Sequence, residues 1–294
     1  MAGVDQVRVR HAEAISVLVE VPRAWERAIW EFVAWMTVEG YPEATRTTRR
    51  QHMALMAKSV PAGPWMTTAQ DWRAYFVGLD VAANTYRSRR TTVRAFYRWA
   101  MVAGHVTAVP TETIPRGEVP RPRPKPTPDH VLRAALAAAS PRERLMIDLA
   151  KGHGLRRAEI AQVHPERDMF EDLDGWSLTV HGKGGKDRDV PLRPATASVL
   201  RAIGPGYAFK GRIDGHLSAR HVGVLLARLL PGEWTGHSLR HRAATDWYED
   251  CGDLLVVGEL LGHAGPNTTA LYVLPNRKRM RQVVEHAAGE RQSA

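Results

Sequence analysis

The chain has 294 residues, long for one core and sufficient for two, and its hydrophobic share of 44% is that of an ordinary folded protein. No apolar run approaches the ~18 residues of a membrane span, and the single cysteine, Cys251, excludes an internal disulfide or a cysteine-rich zinc site. With 41 Lys and Arg against 31 Asp and Glu the net charge is +10, so a polyanion, nucleic acid above all, is the first partner to consider.

The N-terminus carries Asp5, a short interrupted apolar stretch and no small-residue cleavage pattern, so no secretory signal is expected and the cytoplasm is the expected compartment. Four helices are predicted next, over roughly 22–38, 43–59, 68–79 and 82–102. In the last of them Val93, Phe96, Tyr97, Ala100 and Met101 recur at helical spacing, while Arg90, Arg94 and Arg98 stack on another face. Arg87 and Arg89 add to this cationic run, which holds no acid, and the density points to contact with a DNA backbone rather than to neutralisation by local ion pairs. A solvated arginine face is the bland alternative.

Seven prolines then crowd into residues 110–128. Proline removes an amide donor and pushes its predecessor toward extended backbone, so this stretch predicts a stiff connector. Three regions follow: a helical domain over 1–110, a basic linker over 111–126 and a second domain over 127–294. Arg116, Arg121, Arg123 and Lys125 give the linker the charge of a strap along phosphates.

Beyond the linker, Thr127-Pro128-Asp129 reads as a helix start with a capping hydroxyl, and Ser140-Pro141-Arg142-Glu143 as a capping box opening a helix to about Lys151. LRRAEIAQV is helical in pattern. The segment from Asp168 to Leu192 instead predicts three short strands with turns at 172–175 and 182–186. Further helices are expected near 193–203, 218–230, 238–250, 253–261, 266–273 and 276–288. The fold class is therefore mainly α with a small antiparallel β-sheet, an α+β arrangement.

Four motifs stand in order along this second region: GLRRAEI at 154–160, GKGGKDRDVPL at 182–192, HSLRH at 237–241 and LLGHAGPNTTALYV at 260–273. Singly, each has a bland explanation, since a tyrosine near a C-terminus usually packs and a lysine in a glycine-rich turn is usually solvated. His237 and His241 mimic a zinc pair but lack a third ligand, and GKGGK lacks the Ser or Thr and the strand-to-helix setting of a P-loop. No metal and no cofactor are expected.

Together and in this order, the motifs resemble the catalytic domain of the tyrosine recombinase (phage integrase) family over about 127–285, and the helical N-terminal domain is similar to that family's core-binding domain in layout. The resemblance implies Arg156, Lys183, His237, Arg240 and His263 as the catalytic set, Glu159 as structural support of the site, and Tyr272 as the nucleophile. The chemistry accounts for these residue types. Arginine is planar, permanently charged and bidentate, which suits Arg156 and Arg240 to the non-bridging oxygens of a phosphodiester. A phenol titrates near 10, so Tyr272 needs a proton acceptor, for which His237 is placed, and the departing 5′-oxygen needs a proton, which Lys183 can supply. His263 would bond a non-bridging oxygen. Bond energy is conserved in the phosphotyrosine, so religation requires neither ATP nor metal.

The resemblance further implies a C-shaped clamp on double-stranded DNA, a homotetramer joining two core-type attachment sites, and strand exchange through a Holliday junction. Integration or excision of a phage or other mobile element is the favoured role, with Xer-like resolution of chromosome or plasmid dimers as the alternative; accessory factors are not legible. A topoisomerase-like nicking-closing enzyme and a DNA-binding regulator with an inactive catalytic fold are the rivals from other classes. With only about twenty residues before the first helix, no separate arm-binding domain is expected, and the basic tail from Asn276 is expected to dock on a neighbouring protomer.

Overall fold

The computed structural model describes residues 21–117, 124–182 and 185–263, together with Thr269 and Val284. The chain divides into two compact units, with the division between residues 121 and 122. Among the described residues no helix is long and apolar enough to cross a membrane.

Helices α1 (Arg23–Val38), α2 (Glu43–Ala57), α3 (Ala69–Val77) and α4 (Ala83–Val102) build the first unit. Trp25, Ile29, Phe32 and Met36 follow the helical repeat along α1, and all are sealed from solvent together with Trp72, Phe96 and Tyr97. The rings interlock edge to face, Trp25 on Trp72 at 6.2 Å and Phe32 on Phe96 at 5.4 Å. Thr68 and Asp71 close the start of α3 as a reciprocal capping box. Residues past α4 return to this core: Ile114 is buried, the Tyr86 hydroxyl donates to the Pro115 carbonyl at 3.1 Å, and Arg90 Nε donates to the Ile114 carbonyl at 3.0 Å.

The second unit begins with α5 (Asp129–Ala138) and α6 (Pro141–Lys151), continues through the short α7 (Arg157–Ala161) and α8 (Pro165–Asp168), and then forms strands β1 (Met169–Asp172), β2 (Gly175–His181) and β3 (Asp187–Pro191). The sheet is antiparallel in the order β1-β2-β3, with Leu178 opposite Val190 and Val180 opposite Arg188. After it come α9 (Pro194–Ala202), β4 (Lys210–Ile213), α10 (Ala219–Leu229), α11 (Gly236–Cys251) and α12 (Leu254–Leu261). Leu178 and Val190 from the sheet pack with Met146, Ile160, Leu226 and Leu239 from the helices into one core.

Three local expectations need correction. Thr127 does not cap α5, because Pro128 takes the N-cap position and no side chain caps it; the Thr127 hydroxyl instead pairs with Ser238 Oγ at 2.8 Å, and its N–H donates to the Ser238 carbonyl at 3.2 Å. LRRAEIAQV is helical only over Arg157–Ala161, since Pro165 starts a separate turn capped by the His164 side chain. The β4 turn, bridged from Lys210 to His216, was not foreseen. The helices expected at 266–273 and 276–288 fall outside the described residues, apart from Thr269 and Val284, each helical.

Candidate active site

The end of α6 turns sharply into α7 at Gly154, whose φ of +65° is a conformation that side chains disfavour and where a Cβ would stand 2.7 Å from the Trp247 ring. That turn puts Arg156 at the N-cap of α7, with Glu159 in the first helical turn. Glu159 Oε2 accepts from the Arg156 N–H at 2.8 Å and Oε1 from Arg156 Nη1 at 2.7 Å. From the opposite side Arg188, on β3, donates Nη1 to Oε1 at 3.1 Å and Nη2 to Oε2 at 2.8 Å. Arg240 Nη1 is a third cation, 3.8 Å away. Burial alone would raise the Glu159 pKa; the bonds and charge of Arg188, the Arg156 N–H and the charge of Arg240 outweigh it and bring it down to about 2. Three guanidiniums on one carboxylate leave this cluster with two net positive charges.

Helix α11 starts from Thr235, whose hydroxyl accepts from the His237 N–H at 3.2 Å. One turn later Arg240 is fully buried, its Nη1 donating to the Gly154 carbonyl and its Nη2 to the Leu261 carbonyl. Such bonds hold a charged group in a dry place and fix the plane of the guanidinium. His237, three residues earlier on α11, keeps surface exposure; desolvation by its surroundings, then the charges of Arg240, Arg156 and Arg157, hold its pKa below the ordinary 6.5. Its ring meets His241 edge-on at 4.7 Å.

The third arm arrives by α12, which ends at Gly262 in the left-handed conformation, φ +63°. A Cβ there would stand 2.9 Å from the Arg188 side chain, so glycine also makes room for the support. His263 follows directly, with Nε2 accepting from Arg240 Nη2 at 3.3 Å and Nδ1 facing Thr269 Oγ1 at 3.1 Å. Accepting at Nε2 places the ring proton on Nδ1, where it donates to the threonine. Desolvation, then Arg240, Arg156 and Arg188, push the His263 pKa down to about 4, so the ring is neutral at physiological pH.

Arg156, Glu159, His237, Arg240 and His263 are thus brought together around one cluster. Arg157 turns aside: its side chain passes along α10, 3.5 Å from where a Cβ on Gly223 would be. Lys183 and Tyr272 lie outside the described residues, as do Arg121 and Arg123. Lys125 pairs with Glu233 within the second unit.

In the first unit the five arginines of α4 do not act as one set. Arg90, Arg94 and Arg98 line a cleft of about 440 Å³ with Arg49, Arg116 and Tyr41. Arg89 faces elsewhere, donating to the Tyr75 hydroxyl at 2.9 Å, and Arg87 is exposed and outside the cleft. Contrary to the expectation that no acid tempers this face, Glu112 reaches back to Arg94 at 2.8 Å and to Arg98 at 3.7 Å.

Residues 127–279, more than half of the chain, match the phage integrase family. The protein belongs to that family. Its relatives include a tyrosine recombinase XerC from Rhodospirillum centenum, 36% identical over 234 residues that cover 71% of this chain and 67% of that one. A tyrosine recombinase XerD from Caulobacter vibrioides is 34% identical over 234 residues, 69% of this chain and 76% of its own. Among solved structures, residues 75–356 of lambda integrase, in a dimer bound to a COC′ core site, superpose with a TM-score of 0.69 at 18% identity, covering 84% of this chain and 94% of that one. XerH bound to a palindromic difH substrate gives 0.61 at 19% identity, over 81% and 78%. As a tyrosine recombinase the protein is an enzyme that breaks and rejoins DNA through a covalent phosphotyrosine.

Two residues of this candidate site in the recombinase were not legible in the sequence. Arg188 stands two residues from the buried Val190 on the same face of β3, and a charge on the inward face of a strand has to find a partner, which was the available signal. Thr269, fully buried, gave no comparable signal; its contact with His263 depends on Gly258, where a Cβ would stand 2.8 Å from its hydroxyl.

Proposed function

We propose that this tyrosine recombinase works in the Xer manner, resolving dimers of a circular chromosome or plasmid at a short core-type site. The observation that carries the reading is the identity of about one third, over most of the chain, to XerC and XerD proteins. Integration or excision of a mobile element, favoured by motif reading alone, becomes the second choice. The test is a plasmid carrying two directly repeated copies of the host's dimer-resolution site. Conversion to two circles supports the reading. Failure there, with recombination between unlike attachment sites flanking the gene, returns the protein to the integrase role, and relaxation of supercoils without recombination assigns it to nicking and closing.

In the proposed chemistry Arg156, with 36% of its side chain exposed, meets the scissile phosphate, and Arg240 supports it with charge from beneath. Their positive field stabilises the charge that gathers on the non-bridging oxygens. His237 sits at the surface beside these cations, which favour its neutral form, the form able to accept the Tyr272 proton. His263, neutral and oriented by Thr269, stands beside the same oxygens. Lys183 protonates the leaving 5′-oxygen. Double-stranded DNA is the partner, two duplexes being joined by a homotetramer, with the arginine cleft of α4 gripping the backbone.

A further inference from the structure

The cleft in the first unit concentrates like charge. Arg49, Arg90, Arg94, Arg98 and Arg116 share its lining, and Arg90 shows the strain of that: burial, then Arg94 and Arg116, lower its pKa. Arginines this close repel one another unless an anion sits among them. Glu112 supplies one. Its two oxygens divide between Arg94 and Arg98, at 2.8 and 3.7 Å, an arrangement close to what two non-bridging oxygens of a phosphodiester would offer the same two guanidiniums. The backbone just beyond Glu112 is fixed by interactions other than this carboxylate. Ile114 is buried in the core, Arg90 donates to its carbonyl, and the Tyr86 hydroxyl donates to the carbonyl of Pro115. Glu112 itself remains half exposed, so its side chain can swing to solvent without disturbing that frame.

We propose that Arg94 and Arg98 form a phosphodiester-binding site in which Glu112 is the resident counter-ion, displaced when a DNA backbone phosphate enters. The site deepens, and rests on, the reading of this face as a DNA surface. Its consequence is selectivity: weak or isolated anions do not repay the loss of the Glu112 pair, whereas a backbone that engages several arginines at once does. Arg49 joins the same surface, held over the Tyr41 ring at 4.9 Å.

The test is binding of the full-length protein to a short duplex of arbitrary sequence, at fixed salt. Glu112→Gln should bind about fivefold tighter than wild type, the scale of losing one partly exposed ion pair. Asp80→Asn, which removes an exposed acid outside the cleft, controls for net charge and should gain clearly less. In an Arg94→Ala/Arg98→Ala background the gain from Glu112→Gln should vanish, because the cycle isolates the pair. Wild-type affinity in Glu112→Gln, a gain matched by Asp80→Asn, or a gain that survives without the arginines overturns the proposal. Unchanged affinity in Arg94→Ala/Arg98→Ala alone is a different failure, that of the DNA surface itself.

Discussion

Arg188 and Glu159 face each other through two parallel hydrogen bonds, of 3.1 and 2.8 Å, with 8% and 4% of their side chains exposed. Arg188 Nε also donates to the Leu260 carbonyl at 2.9 Å, so one side chain ties β3 to α7 and to the end of α12 just before His263. Arg188→Met should therefore cost stability as well as rate. Leaving a buried carboxylate with one fewer partner is worth about 3–5 kcal/mol, and urea unfolding at neutral pH reads it. Arg188→Lys keeps the charge without the fork and should fall between the two; a melt of Arg188→Met equal to wild type would remove Arg188 from the supporting frame.

A second prediction concerns acid. His153 is 1% exposed, its Nε2 accepts from the Arg193 N–H at 3.2 Å, and burial pushes its pKa down to about 4. The Asp148 carboxylate nearby is taken by Arg193 and Thr196. A histidine depressed in the folded state contributes nothing adverse above its unfolded pKa of 6.5 and destabilises as pH falls from there toward about 4, because only the unfolded chain takes up the proton. At about pH 5 the loss is about 2 kcal/mol from this residue alone. His153→Gln should flatten that part of the stability profile; identical pH dependence in both proteins would show that His153 charges freely in the fold.

Removing Arg90, Arg94 and Arg98 together should weaken DNA binding and flatten its dependence on salt, by roughly 0.9 in the log–log slope for each phosphate that is no longer neutralised. Cleavage at saturating protein should persist. Because Arg90 spends Nε on the Ile114 carbonyl, Arg94 and Arg98 should account for most of the change. An affinity and slope equal to wild type would leave this as a solvated face.

The roles proposed for Tyr272 and Lys183 separate by leaving group. Tyr272→Phe should bind DNA normally and form no covalent adduct on a nicked substrate. Lys183→Ala should be slow on ordinary DNA, yet recover when sulfur replaces the bridging 5′-oxygen, since a thiolate departs without a proton. Equal slowness of Lys183→Ala on both substrates would make Lys183 a binding charge and pass the acid role to Lys186.

Much of this was legible in local pattern. The Ser140–Glu143 capping box, the helical repeat of α4 and the turn at 172–175 are short-range signals, and the structure carries them. Pairings made across the chain were not. Glu112 lies 18 residues from Arg94, Arg188 lies 29 from Glu159, and Thr127 lies 111 from Ser238; each is decided by how elements pack, which periodicity does not encode. The Arg156–Glu159 pair was visible because it closes within one helical turn, three residues apart.

The two hydrogen bonds between Thr127 and Ser238 have a mechanical side. Arg242, on the same helix, adds a bond to the Thr127 carbonyl at 3.3 Å and an ion pair to Asp129 at 2.7 Å. Residues 124–126 are therefore followed at once by a point riveted to α11, through Ser238, which lies between His237 and Arg240, and through Arg242. A pull on the connector is thereby passed to the helix that carries His237 and Arg240.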